Sequence, residues 1–303
     1  MNRDRHWTVL GVPIDSVAAP SGGPAFGTEA APSALRAHGV VSRLGAVDAG
    51  DLDVRIVGPG RDPVSGLVGW PSLGACTVGI RDGLRSVLEQ GNRPLVLGGC
   101  CALVMGATAA ARDVFGSVGV VNVDGHLDLY DHRSSPTGEA ADLPIAALLG
   151  HGWSGLLETI APVPVVDGRD VIVLGARDPD EAADLGGLPA ELGVTVCGVE
   201  AVLADPAGIA AQTTARLDES GRPFWMHIDV DVLDEIAFPA TDYLMPGGLS
   251  LEQLADLLTP LGHDPRLVGA SIGCYNPSKD PGGAYGEALT RVIVGAFGET
   301  GSD

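Results

Sequence analysis

The 303-residue sequence is 45% hydrophobic and 19% charged, which fits a folded globular chain and excludes a disordered one. Its 39 acidic against 18 basic residues give a formal net charge of -21, arguing against nucleic acid or an anionic membrane as partner, since both need positive surface. A cationic small molecule is compatible with this balance, although acidity at this level also serves solubility.

The first residues, Met1-Asn-Arg-Asp-Arg-His6, lack the apolar centre of an export signal, and no later run of about twenty apolar residues could cross a bilayer, so a cytoplasmic protein is expected. Short apolar or β-branched runs predict strands over 8–12, 95–97, 118–123, 171–174, 194–197, 224–228 and 267–272. Ala- and Leu-rich stretches predict helices over 31–37, 78–90, 103–114, 143–149, 209–217, 251–258 and 285–294. The Pro- and Gly-rich stretch 18–27 and the segment 55–73 read as loops. This alternation predicts an α/β fold: one domain over 1–303, with three α/β/α layers around a mainly parallel sheet. In such sheets ligands bind beyond the carboxyl ends of the strands.

Two predicted strands end in ligand-type residues. Val120-Val-Asn-Val-Asp-Gly-His-Leu-Asp128 delivers Asp124, His126 and Asp128, and Phe224-Trp-Met-His-Ile-Asp-Val-Asp231 delivers Asp229 and Asp231. Strand residues two apart share a face, so each set converges on one side. Five such ligands suit one or two divalent ions, whereas a buried acidic cluster without cations is costly. Cysteines at 76, 100, 101, 197 and 274 are odd in number and irregularly spaced, so disulfides are not expected. No Gly-x-Ser-x-Gly elbow or Gly-x-x-x-x-Gly-Lys loop occurs.

Over nearly its whole length the chain resembles the ureohydrolase family, the group of arginase, agmatinase, proclavaminate amidinohydrolase and formiminoglutamase. Asp124-Gly-His126-Leu-Asp128 is similar to the family's Asp-Ala-His-x-Asp, and Asp229-Val-Asp231-Val-Leu-Asp234 to its Asp-x-Asp-x-x-Asp. Phe238-Pro-Ala-Thr, Gly247-Gly-Leu-Ser and the early Gly27-Thr-Glu-Ala-Ala-Pro-Ser-Ala-Leu-Arg36 add support. The resemblance implies an arginase-like fold, a small-molecule substrate, a homo-oligomer (trimer or hexamer) and two Mn2+ per chain that activate a water to attack a guanidinium or amidine carbon. By matching positions, Asp124 and Asp229 would bridge, Asp128 would complete the first site, and His126 with Asp231 the second.

Three departures mark the chain. Gly98-Gly-Cys-Cys101 stands where the family has Gly-Gly-Asp-His, putting Cys101 at a histidine ligand's position. A thiolate is a softer ligand and admits other divalent metals. A similar cysteine marks a small subgroup whose members resemble Nω-hydroxyarginine hydrolases; an inert buried thiol is the alternative, and Cys100 reads as core. Ala141 falls where arginase carries its proton-shuttle histidine, and Cys274 where a glutamate grips the guanidinium. A neutral thiol cannot supply that charge-assisted pairing, so plain arginine is not the expected substrate. His132, Glu139 and Asp142 in the following loop are candidates for an acid-base group or cation contact, or else solvated loop residues. Asp180 is a candidate substrate contact, Asp178 an alternative turn cap, and His227 a residue that orients a ligand or an inert buried imidazole. The expectation is a metal-dependent hydrolase of a modified guanidine or amidine; a catalytically silent relative of the same fold is the competing reading.

Overall fold

The computed structural model describes residues 6–15, 27–58 and 60–298. Among these, eight strands form one sheet: β1 (Trp7–Val12), β2 (Val47–Asp51), β3 (Arg93–Gly98), β4 (Gly119–Val123), β5 (Val171–Leu174), β6 (Thr195–Cys197), β7 (Phe224–Asp229) and β8 (Leu267–Gly273). All neighbours pair in parallel, in the spatial order β2-β1-β3-β8-β7-β4-β5-β6. β4, β7 and β8 are buried at every residue, as strands covered by helices on both faces must be.

The helices are α1 (Ala31–Ala37), α2 (Val40–Leu44), α3 (Ser72–Glu89), α4 (Leu103–Phe115), α5 (Pro144–Leu148), α6 (Ser154–Ile160), α7 (Pro179–Leu185), α8 (Leu188–Glu191), α9 (Val199–Ala204), α10 (Pro206–Ser220), α11 (Leu251–Gly262) and α12 (Ala284–Phe297). α3 to α6 pack among themselves, while α1 and α2 pack with α12, which continues through α11 and α10 to α9. The result is the three-layer α/β/α arrangement expected from the alternation. No described helix is long and apolar enough to cross a membrane.

The chain order of the strands explains where a site must form. After β3 the chain crosses to β4, runs outward through β5 and β6, and returns with β7 and β8 to fill the gap between β3 and β4. The carboxyl ends of β3, β8, β7 and β4 therefore lie side by side although they are distant in sequence. Local chemistry fixes the entry and exit of each segment. Ser250 and Gln253 form a reciprocal capping box at the start of α11, and Asp178 accepts from the Asp180 and Glu181 amides at the start of α7.

Several elements differ from expectation. β2 carries no strand signal in the sequence: Val47-Asp-Ala-Gly-Asp51 is polar and largely exposed because it is the sheet's edge, so it has no buried face to impose alternation. α2 and α6 to α9 have seven residues or fewer, too short to establish a helical period. α3 starts at Ser72 rather than 78, since Ser72-Leu-Gly-Ala reads locally as loop although tertiary packing makes it helix. The 55–71 segment is irregular, as expected; of the 18–27 loop, residues 18–26 lie outside the described residues.

Candidate metal centre

The carboxyl end of each central strand contributes a different part of the site. Beyond β3, Gly99 allows the tight approach that puts Cys101 in place: a Cβ there would lie 1.6 Å from the Ile14 carbonyl oxygen, and the Gly99 carbonyl accepts from Cys274 N at 2.7 Å. β4 runs into Asp124, His126 and Asp128; β7 ends in Asp229 and turns at once to place Asp231; β8 ends beside Cys274. Asp128 and Cys274 have φ of 55° and 65°, the only positive values on non-glycine residues among those described. Such strain persists where the surroundings hold a side chain in a required place.

Two ligand groups adjoin. Asp124, His126 and Asp231 bring donor atoms within 4.8 Å of one another, as do Cys101, Asp124 and Asp128; Asp124 belongs to both. A third combination, Cys101, His227 and Asp229, meets the same limit. Cys101 Sγ donates to Asp229 Oδ2 at 2.6 Å and lies 3.4 Å from Cys274 Sγ and 3.3 Å from His227 Nε2. His126 Nδ1 is 3.0 Å from Asp231 Oδ2 and 3.6 Å from Asp124 Oδ1, and its Nε2 is 3.5 Å from Asp178 Oδ2.

The remaining hydrogen bonds aim these side chains. Asn122 Nδ2 donates to Asp124 Oδ2, the Gly125 amide to Asp231 Oδ1, and the Asp231 amide to Asp229 Oδ1. Arg177 donates to the carbonyls of Asp231, Leu233 and Met245, tying the loop after β7 to the strand ends. Asp234 accepts from the Gly247 and Ile236 amides, so it braces the loop rather than joining the ligands.

The protonation pattern shows a site poised for cations. Burial and the charge of Asp124 push Asp128 well above the usual carboxylate range, and burial with the Asp231 and Asp124 charges does the same to Asp229. The hydrogen bond with Cys274, burial and the Asp229 charge raise the Cys101 thiol; in Cys274 the bond from Cys101 favours ionisation, but burial and Asp229 prevail upward. Burial opposes ionisation of both His126 and Asp231, yet their mutual attraction wins, holding His126 well up and Asp231 down. Burial lowers His227 to about 4. Asp128 Oδ2 is buried without a hydrogen-bond partner. A set of carboxylates, imidazole and thiol that neutralises itself only by retaining protons, with a carboxylate oxygen left over, fits divalent cations, which would displace those protons.

A cavity of about 510 Å³ opens over the ligands. Among the described residues, eight carboxylate side chains line it and no lysine or arginine does. Of the residues singled out from sequence, Cys101, His126, Asp128, Asp180, Asp229, Asp231 and Cys274 line it, with Asp180 exposed at the rim and Ala141 and Asp142 on one wall. Asp124 lies fully buried beneath it.

The structure does not bring His132 or Glu139 to the cavity. His132 stacks edge-on against Trp153 at 5.9 Å and is not among the residues that line the cavity. Glu139 is 1% exposed and accepts from Tyr243 Oη at 2.6 Å, serving the wall from behind. Asp142 accepts from Ser135 and Thr137, which organises the same loop. Sequence reasoning missed Glu181 and Tyr243. Glu181 lines the cavity, accepts from the Leu127 amide at 2.6 Å, and is raised by burial to about 7. Nothing in the local sequence distinguishes it from a solvated glutamate in the first turn of a helix.

Comparison with known proteins agrees with this geometry. The curated arginase of Brevibacillus brevis is 25% identical over 304 residues, covering 98% of this chain and 99% of that protein. The crystal structure of Bacillus caldovelox arginase superposes with a TM-score of 0.87 at 24% identity, covering 98% and 99% of the two chains. Proclavaminate amidino hydrolase from Streptomyces clavuligerus superposes with a TM-score of 0.70 at 21% identity, covering 98% of this chain and 91% of that one. The Arginase family model matches residues 5–298, and with strand ends, ligand motifs and fold in agreement, the chain belongs to the arginase family.

Proposed function

We propose that the chain is a binuclear-metal amidinohydrolase that cleaves a C–N bond of a cationic guanidine or amidine other than unmodified arginine. The observation that carries this reading is the pair of adjoining ligand groups sharing Asp124 at the floor of an acidic cavity that no described lysine or arginine lines. Asp124, Asp229, Cys101, Asp128, His126 and Asp231 would together hold two divalent ions, with Cys101 and Asp128 serving one side and His126 and Asp231 the other. Carboxylate-rich donors suit manganese. When bound, two cations lower the pKa of a shared water and make a nucleophile available near neutral pH.

The residues around that water perform the rest. Asp128, buried beside the ligands, would take up the proton of the attacking water and return it to the departing amine. Asp178, Asp180 and Asp184 at the cavity wall attract a cationic substrate and orient its distal end. Cys274, a neutral thiol on the wall, offers no countercharge to an unmodified guanidinium but leaves room for a substituted one. His132 and Glu139 take no part in this scheme, because neither reaches the cavity.

The test is hydrolysis by the manganese-reconstituted full chain of a panel containing arginine, agmatine, Nω-substituted arginines and linear amidines. Turnover of a substituted guanidine or an amidine at least about tenfold above arginine supports the reading. Arginine as the fastest substrate removes the substrate assignment, and no turnover with any compound, with metal demonstrably bound, favours the catalytically silent alternative.

A further inference from the structure

One element of the centre is left over by this scheme. His227 lies inside β7, fully buried, with Nε2 3.3 Å from Cys101 Sγ, yet bridging carboxylates and water activation do not require it. Its other ring nitrogen, Nδ1, is 2.8 Å from Ser271 Oγ on the adjacent strand β8, where register pairs the two residues. Ser271 Oγ also accepts from Trp225 Nε1 at 3.0 Å. Indole N–H only donates and a hydroxyl has two lone pairs, so Ser271 can accept from Trp225 and from His227 Nδ1–H together. In that tautomer the imidazole would present its Nε2 lone pair toward Cys101. An outer hydrogen bond that fixes tautomer and ring plane while the second nitrogen faces a ligand cluster is the arrangement of metal-bound histidines.

The distances agree. For an ion bound tetrahedrally by sulfur at about 2.3 Å and nitrogen at about 2.0 Å, the two donors stand roughly 3.5 Å apart; Cys101 Sγ and His227 Nε2 stand 3.3 Å apart. The 2.6 Å contact from Cys101 Sγ to Asp229 Oδ2 is a thiol proton held against a carboxylate. Binding an ion there would require Cys101 as thiolate, its proton released, and a donor spacing of roughly the same 3.5 Å.

We propose that Cys101, His227 and Asp229 form a mixed sulfur, nitrogen and oxygen site for a thiophilic divalent ion such as zinc, so that the two positions of the centre differ in the metal they take. The proposal rests on the metal-centre reading above but not on hydrolysis. Thiolate and imidazole select the softer ion at this position, while Asp124, His126 and Asp231 keep a hard, manganese-type environment. Cys274 contributes no ligand here and neighbours Cys101 through sulfur.

Metal-free full-length protein loaded with two equivalents of cobalt(II) tests this without reference to activity. A thiolate-to-cobalt charge-transfer band in the near ultraviolet is expected in the parent and in Cys274→Ala, and is lost in Cys101→Ser. Proton NMR of the same samples is expected to show two hyperfine-shifted, exchangeable imidazole N–H signals in the parent, from His126 and His227, and one in His227→Gln. Absence of the band in the parent, or a single imidazole signal that persists in His227→Gln, overturns the proposal. Should His227→Gln fail to fold, the parent alone still decides, because one imidazole signal excludes His227 and two exceed what His126 supplies. Hydrolysis with both positions holding manganese and no thiolate band would sink this inference while leaving the proposed function standing; the cobalt signature with no guanidine turnover would do the reverse.

Discussion

The two sides of the metal centre solve the same electrostatic problem in opposite ways. Asp124, His126 and Asp231 open to the cavity: the His126 side chain is 20% exposed, and its imidazole is paired with Asp231 as an ion pair. Cys101, His227 and Asp229 are closed off, none more than 2% exposed, and burial favours the neutral form of each, raising the thiol and carboxyl and lowering the imidazole. An open, ionised side exchanges its imidazolium proton for a cation with little rearrangement. Loading the closed side would require it to release a thiol proton and spread its donors, making that binding more pH-dependent and more selective for soft ions.

The most severe way to break this contrast is to remove a carboxylate proposed to serve both sides. Asp229→Ala is expected to weaken metal binding at both positions by more than about a hundredfold, beyond what outer-sphere changes cost, and to abolish turnover, as read by metal titration and by assay. Glu181 tests the neutralising role of protons. Burial raises it from 4.5 to about 7, so the folded state binds the extra proton. Its stabilising contribution in the metal-free protein is complete below pH 4.5 and lost as pH rises through about 7, amounting to roughly 3 kcal/mol. Glu181→Gln should flatten that fall in a denaturation series between pH 5 and 8; an unchanged slope would assign the dependence elsewhere.

Gly125→Ala sharpens the comparison on the open side alone. The added Cβ would lie 2.7 Å from Arg177 Nη1 and 2.9 Å from both Asp231 Oδ1 and Met245 Cε. A cost of about 1–3 kcal/mol is expected from such overpacking, with thermal melting lowered and the thiol side's cobalt band retained. The smallest effect belongs to Asp180→Ala at the rim. Losing one exposed carboxylate is expected to raise KM by a few fold, since such charges contribute about 0.2–1 kcal/mol, with kcat unchanged and the difference vanishing in high salt.

What could be read in the sequence follows from how local each signal is. Asp124, His126, Asp128, Asp229 and Asp231 announced themselves because an apolar strand ends abruptly in ligands spaced by two, a pattern contained within nine residues. Buried strands such as β4 and β7 were legible for the same reason, whereas β2 at the edge carried no buried face. The closed side was only half visible. Cys101 stood out through the family's ligand position, but its contact with His227 joins residues 126 positions apart and exists only because β7 and β8 return to fill the gap beside β3. His132 and Glu139 have suitable chemistry in a suitable loop, but their partners, Trp153 and Tyr243, lie 21 and 104 residues away and cannot be read from composition.

The central claim is a two-metal centre with unlike sides, and metal analysis by inductively coupled plasma mass spectrometry tests it most directly. Full-length protein prepared without chelator, given one equivalent of zinc and a large excess of manganese, is expected to hold about two ions per chain, one of each, with zinc lost selectively in Cys101→Ser. Two manganese ions in both proteins would contradict the unlike sides, and no bound metal in either would contradict the centre itself.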